Sequence, residues 1–272
     1  MNLIKGLILG VLQGATEFLP ISSSGHLVLA REVMELPQTS LLFDVLLHVA
    51  TLAVVCVVFR RRIGALILGL VDLLRPAQRR RPELAAERTT LLLLVVASAA
   101  TVVVALGVRA ADLPRTAAWT GGALVATAAV LLAGWAVVRA RAYPPAATAA
   151  QSGWRWALAV GVAQGLAVLP GLSRAGVTIA VGTAAGTERS AAAEFSLLAS
   201  IPAIVGALAL TLGNAAEMSA DVSVTTLLAA TAAAAASGYL ALTLLLRLVR
   251  GGRLHLFALY LVPVGIWALL QG

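Results

Sequence analysis

Two short stretches of this chain place ionisable and hydroxyl groups inside otherwise apolar sequence. The first runs Gly10-Val11-Leu12-Gln13-Gly14, through Glu17 and Leu19-Pro20, to Ser22-Ser23-Ser24-Gly25-His26. The second runs Gly161-Val162-Ala163-Gln164-Gly165, through Leu169-Pro170, to Ser173-Arg174-Ala175-Gly176. In each, 15 positions separate the opening glycine from the closing one, although the Leu-Pro pair shifts by one. The chemistry these residues offer is anion handling. Gln13 and Glu17, spaced i, i+4, share one helix face that suits a divalent cation or a polarised water. Ser22, Ser23 and Ser24 follow Pro20, and Ser173 follows Pro170-Gly171; all are good N-cap residues. Two helix N-termini with free amides and hydroxyls form an anion site. Arg174 adds a permanent charge and a planar fork suited to phosphate. His26 adds a group that moves protons near neutral pH.

Each of these residues also has a structural reading. Gln13 suits a helix–helix hydrogen bond, the serines suit caps, and Gly25 and Gly176 suit close packing. Glu17 and Arg174 suit a buried ion pair. Glu17, His26 and Arg174 together at membrane depth favour function, because ionisable groups there are costly. Asp44 and His48, again i, i+4, either line the cavity or are satisfied polar groups between helices. Glu194 near a helix start reads as dipole compensation or packing.

The elements that must position these groups are membrane helices. Hydrophobic residues make up 60% of the 272, charged residues 12%, and the mean hydropathy is +0.96. Apolar runs recur over 41–59, 89–108, 117–138, 191–212, 222–246 and 254–270, most near the length a helical span needs. Alanine and leucine dominate, so helices rather than barrel strands are expected. The start is a poor signal peptide, because Gln13 and Glu17 interrupt it. The net charge of +8 is read as positive-inside loops, not as nucleic-acid binding. Cys56, the only cysteine, lies within a span and reads as a small core residue.

The arginines set the topology. Eight lie between Arg60 and Arg88, three between Arg139 and Arg155, and three between Arg247 and Arg253. These loops are expected on the cytoplasmic side, and the acidic loop 214–221 outside. Counting crossings then makes 1–36 a re-entrant hairpin from outside and 156–186 a second from inside. The expected fold is an all-α polytopic membrane protein with inverted-topology repeats and two re-entrant helical hairpins. The repeats are 1–141 and 156–272, joined by a linker at 142–155. Residues 63–74 are expected as an interfacial or partly buried helix, and 75–88 as a mobile, solvated loop.

At these residues the chain resembles the undecaprenyl-diphosphate phosphatase, or bacitracin-resistance protein, family. Its first motif is matched by Gln13-Gly14-Ala15-Thr16-Glu17-Phe18-Leu19-Pro20-Ile21-Ser22-Ser23-Ser24-Gly25-His26. Its second is matched by Pro170-Gly171-Leu172-Ser173-Arg174-Ala175-Gly176-Val177-Thr178-Ile179, and a further match is Ala191-Ala192-Ala193-Glu194-Phe195-Ser196. The resemblance implies a multi-pass enzyme of the bacterial inner membrane with its site open to the outer face. It would remove the terminal phosphate of a polyprenyl diphosphate and regenerate the carrier for cell-wall glycan, which confers bacitracin resistance. It implies a divalent cation, Mg²⁺ or Ca²⁺, with Glu17 as its ligand, and leaves a homodimer open.

By position the resemblance assigns catalysis to Glu17, Ser23, His26 and Arg174. Gln13, Ser22, Ser24, Ser173 and Thr178 fall in the substrate-binding set. Gln13 stands where many members have Glu, so base and cation duties fall on Glu17; Ala175 and Leu172 are further departures. The type 2 phosphatidic acid phosphatases share Ser-Gly-His and Ser-Arg elements, but Ala180 stands where their nucleophilic histidine would be. The sequence leaves open which of Ser23 and His26 is nucleophile, and whether Glu17 holds the cation or orients water. The rival functions are a secondary transporter or lipid flippase, since broken helices in inverted repeats are a transporter architecture, and a non-catalytic scaffold.

Overall fold

The computed structural model of the chain describes residues 1–36, 41–114, 116–141, 146–212 and 222–271. Eleven α-helices are described: α1 Leu3–Phe18, α2 Ser23–Val33, α3 Leu41–Val58, α4 Arg60–Leu73, α5 Ala85–Ala110, α6 Ala117–Arg139, α7 Ala149–Leu166, α8 Arg174–Ala184, α9 Arg189–Leu212, α10 Val224–Arg250 and α11 Ala258–Leu270. The apolar runs read from the sequence fall on α3, α5, α6, α9, α10 and α11. Four segments, Pro82–Ala110, Ala117–Arg139, Arg189–Ala209 and Val224–Arg250, are long and apolar enough to cross a membrane. A fifth apolar helix, Leu42–Val58, bends by 79° into Arg60–Leu73, and the last, Leu254–Leu270, is shorter. The two hairpins are helix pairs, α1 with α2 and α7 with α8, each packed across its break.

Helix α4 covers the helix expected at 63–74 and is partly buried. It buries Leu66, Gly69 and Asp72 on one face and exposes Ile67, Leu68, Leu70 and Val71. The segment after it differs from the mobile loop expected at 75–88. Two 3₁₀ turns, at Ala77–Arg79 and Pro82–Leu84, lead directly into α5. They wrap around the Asp72 side chain, which is 1% exposed. Asp72 pairs with Arg88, accepts the Arg81 N–H at 3.2 and 3.3 Å, and lies 3.8 Å from Arg75. A buried carboxylate requires such partners, and satisfying it orders the arginine-rich segment. Arg62 similarly bridges Glu194 of α9 at 2.8 Å and Glu87 of α5 at 3.2 Å. Glu194 is therefore an inter-helix anchor.

The expected linker at 142–155 is only partly a loop. Residues 142–145 lie outside the described residues, as does the acidic loop 214–221. Thr148 and Gln151 form a capping box that starts α7 at Ala149, and Gly153, with φ of +79°, breaks its first turns.

Helix α1 packs on α10, α7 on α5, and α6 on α11. Small residues allow these approaches. A Cβ added at Gly10 would stand 2.3 Å from the Ala230 carbonyl oxygen, and one at Gly14 only 2.2 Å from that of Ala234. On the second pair, Gly161 stands in the same relation to Ala97, at 2.3 Å. Phe18, Val55, Ile179, Leu242 and Leu245 form a buried cluster that backs both breaks.

This packing yields a test. Gly14→Ala should destabilise the folded protein by roughly 1–3 kcal/mol, the usual cost of overpacking. Gly107→Ala, with no atom within 4 Å of the added Cβ, should not. Thermal midpoints in detergent decide, and an unchanged midpoint for Gly14→Ala would contradict the contact.

Candidate active site

Local chemistry ends each hairpin helix where the site needs it. Leu19 is extended, at φ −61° and ψ 147°, as the residue before a proline must be, so α1 stops at Phe18. Ser22 then turns through φ of +68°, which is unusual for a residue with a side chain. Its Oγ accepts two backbone N–H groups, Gly25 at 3.3 Å and Gly171 of the other hairpin at 3.1 Å. The first caps α2; the second joins the tips. Ser173 caps α8 in the same way, accepting the Gly176 N–H at 3.1 Å. Thr127 of α6 holds the second tip, donating to the Gly171 carbonyl at 3.0 Å and accepting the Ser173 N–H at 3.1 Å. Gly171 has φ of +96°, and a Cβ there would stand 2.4 Å from the Thr120 carbonyl oxygen. The two breaks therefore meet inside the protein.

Glu17 is the centre of what they enclose. Its side chain is 5% exposed. One carboxylate oxygen pairs with Arg174 Nη2, across the hairpins. The other accepts the Ser23 hydroxyl at 2.6 Å and the Gln13 amide at 3.0 Å. The Gln13 amide nitrogen also lies 3.2 Å from His48 Nδ1, and that nitrogen is 3.9 Å from Glu17. Gln13 can only donate there, so the bare His48 nitrogen faces the cluster. Of the pair suspected on α3, His48 thus joins the site, whereas Asp44 pairs with Arg31.

His26 stands in a separate contact set. Its Nδ1 lies 2.8 Å from the Ser22 carbonyl, which can only accept, so this nitrogen carries the proton. Its Nε2 then accepts the Tyr260 hydroxyl at 2.8 Å, with the rings stacked at 5.7 Å. Tyr260 had no signal in the sequence, because it lies 234 residues from His26 in an ordinary apolar run.

The remaining expected residues divide into two groups. Ser24 is exposed at the rim, 3.4 Å from Ser22 Oγ. Ser22, Ser173 and Thr178 are buried with their hydroxyls engaged in the joint or its backing. Thr178 donates to the Arg174 carbonyl at 2.7 Å and bonds Ser196 of α9. Gln164, the counterpart of Gln13, holds helices together: its amide donates to Thr101 at 3.1 Å and to the Ala199 carbonyl at 3.2 Å. The two similar motifs have divided their labour.

The cluster can take a proton from Ser23, hold an anion on the remaining Arg174 donors and the amides at the starts of α2 and α8, and keep water ordered. Among the described residues no group of three His, Cys, Asp or Glu side chains could hold a metal ion. One carboxylate does fit a cation shared with substrate phosphates, as Mg²⁺ commonly is. The Gln13 Oε1, buried beside Glu17 and without a partner, is an oxygen donor suited to such an ion.

The sequence pattern of the bacitracin resistance protein BacA family matches residues 6–267. The chain is similar to the undecaprenyl-diphosphatase of Desulforapulum autotrophicum, at 38% identity over 100% of this chain and 99% of that one. It is 36% identical to that of Treponema denticola, over 98% and 96% of the two chains. It is 39% identical to that of Desulfosudis oleivorans, over 97% of each. The chain belongs to the BacA family, and it is a multi-pass membrane protein.

The Glu17–Arg174 pair can be tested without any assay of function. Arg174→Met should cost about 3–5 kcal/mol of stability, because it leaves a buried carboxylate unpaired. Adding Glu17→Gln to that variant should recover most of the loss. Equal thermal midpoints for the single and double variants would show that the pair is not coupled.

Proposed function

We propose that this chain is an integral membrane phosphatase that hydrolyses undecaprenyl diphosphate to undecaprenyl phosphate and inorganic phosphate. It thereby recycles the lipid carrier of cell-wall synthesis and confers resistance to bacitracin. One observation carries the reading: a hydroxyl, a carboxylate and a guanidinium, Ser23, Glu17 and Arg174, converge where two helix N-termini meet inside the helical bundle. That set is a nucleophile, a base and a phosphate clamp. A transporter needs an anion site but no hydroxyl 2.6 Å from a carboxylate. The BacA family and its relatives' names favour the enzyme as well.

The chemistry follows from the contacts. Arg174 and the amides at the starts of α2 and α8 hold the terminal phosphate and stabilise its charge as it transfers. Ser23 Oγ attacks that phosphorus, its proton passes to Glu17, and the bridging P–O bond breaks to release the prenyl phosphate. Glu17 passes that proton to the departing prenyl phosphate; water then attacks the phosphoserine, Glu17 takes a proton from the water and returns it to Ser23 Oγ as the Oγ–P bond breaks, giving phosphate and free Ser23. His26 is a second proton-transfer group, with Nε2 as its accepting atom, and Tyr260 is a positioning residue that holds its ring and tautomer. Ser22, Ser173 and Thr178 position the tips. A bound Mg²⁺ or Ca²⁺ would neutralise phosphate charge, held by Glu17 and Gln13. Apolar grooves between helices take the prenyl tail.

The same reading covers topology. The exchange of α1 onto α10 and α7 onto α5 supports inverted repeats, 1–141 and 156–272, each opening with a re-entrant hairpin. The arginine-rich loops face the cytoplasm of a bacterial inner membrane. The first hairpin, which carries Glu17, Ser23 and His26, then opens the site to the outer face.

Three measurements test this. Purified protein in detergent should release phosphate from undecaprenyl diphosphate; Glu17→Gln should abolish release and Gln13→Ala only weaken it. A cation dependence unchanged in Glu17→Gln would remove Glu17 from the cation site. Tyr260→Phe keeps the stacked ring but loses one hydrogen bond, so kcat should fall roughly five-fold, about 1 kcal/mol, with KM little changed. A kcat equal to wild type would end the positioning role. In a Cys56→Ala background, Ser24→Cys should react with an impermeant thiol reagent in intact spheroplasts, and Ala185→Cys only after the membrane is opened. The opposite pattern would invert the topology.

A further inference from the structure

A second anion-binding feature lies away from the catalytic cluster. Two adjoining cavities open where α6 and α8 end and α9 starts, beside the turn that follows α10. The larger, about 470 Å³, is lined by Arg139, Arg141, Arg189 and Arg253, with Trp135 and His255. No acidic side chain lines it among the described residues. The smaller, about 50 Å³, shares Trp135, Arg189 and His255 and continues inward between Leu131, Ile179 and Val249. A basic basin thus leads into an apolar crevice between membrane helices.

The four arginines of the basin differ from the paired arginines of the chain. Elsewhere Arg31, Arg62, Arg88 and Arg174 each meet a carboxylate. Among the described residues none of the four in the basin has a carboxylate within 4 Å, and Arg189 has only that of its chain neighbour Glu188 acting on it from farther away. Glu188, next to Arg189 in the chain, accepts the Ala191 N–H at 2.8 Å, at the start of α9. The basin is nevertheless built. Arg139 lies over the Trp135 ring at 5.3 Å, and His255 stacks on the same ring at 4.7 Å. Arg141 donates to the Ala184 carbonyl at the end of α8. Gly252, with φ of +65°, lets Arg189 pack against the backbone: an added Cβ would stand 2.9 Å from the guanidinium carbon. Convergent unpaired guanidiniums repel one another until an anion joins them, and phosphate is the anion their forked donors fit best.

We infer that this basin binds the phosphate headgroup of an anionic membrane phospholipid, with the apolar mouth of the crevice between α6, α8 and α10 beside the start of its hydrocarbon chains. Basic pockets between membrane helices on the positively charged side recognise such headgroups, and Trp135 sits as an interfacial aromatic does. The site is distinct from the catalytic one. Helix α8 separates them: Arg174 is at its start and the basin at its end, about 15 Å apart by helix rise.

The test measures lipid retention without substrate. The protein, purified in detergent, is incubated with phosphatidylglycerol, with phosphatidylcholine or with inorganic phosphate. Bound lipid is read by native mass spectrometry, and the thermal midpoint is followed in parallel. Phosphatidylglycerol should be retained and should raise the midpoint; phosphatidylcholine should do neither. Arg189→Gln with Arg253→Gln should weaken retention by roughly ten-fold or more. Arg60→Gln with Arg61→Gln, which removes the same charge outside the basin, should not. The basin double variant should still release phosphate from the prenyl diphosphate at the wild-type rate, so this proposal and the catalytic one fail separately. If the double variant folds poorly, Arg253→Gln alone should weaken retention by a smaller factor. Equal retention of both lipids, equal losses in the two double variants, or an equal midpoint rise with inorganic phosphate alone would each overturn the inference.

Discussion

Everything at the site depends on one ion pair between segments 157 residues apart, Glu17 and Arg174. Either charge alone would be costly at that depth. Together, with the Ser23 hydroxyl and the Gln13 amide on the second carboxylate oxygen, they are satisfied. The pair does two things at once. It holds the two hairpin tips in register, and it aims a carboxylate and a permanent cation at the same small volume. Because Glu17 spends one oxygen on Arg174 and the other on Ser23, the hydroxyl is oriented before any substrate arrives, which lowers the ordering cost of the reaction.

The joint around that pair is made of backbone more than side chains. Ser22 accepts an amide from each hairpin, and Thr127 both donates to and accepts from the second tip. Breaking a helix in an apolar medium leaves amides and carbonyls without partners. Here each break completes the other, and Thr127 supplies what remains. The left-handed turn at Ser22 is held by this mutual satisfaction, in keeping with strain gathering where function needs it. Behind the joint, α1 and α7 are anchored by glycines on α10 and α5, so the tips sit on a close-packed support.

Pairing also explains where a pattern read along the chain misled. The arginines of 75–88 suggested a mobile, solvated loop; the segment is exposed over 76–83, yet Asp72 gathers it into turns. Glu194 read as dipole compensation or packing, and Arg62 makes it an anchor of α4. In both, the decisive partner lies in another helix. By contrast, Arg139, Arg141, Arg189 and Arg253 have no carboxylate within 4 Å among the described residues and line a basin instead. Their residue type is the same; only their neighbours differ.

Much was legible before any coordinates. Apolar runs marked the helices, because a membrane demands length and composition that single segments display. Leu19-Pro20 and the serines after it marked the first break, because proline and N-cap chemistry are local. Gln13, Glu17 and their i, i+4 spacing marked a common face. What the sequence could not carry was pairing over distance. That His48 reaches the cluster, that Tyr260 holds His26, that Gln164 became structural while Gln13 did not, and that Ser22 serves both tips were decided by tertiary structure alone. Each depends on which helices pack together, and the interactions that choose among apolar helices are small-residue contacts and single hydrogen bonds spread over the whole chain.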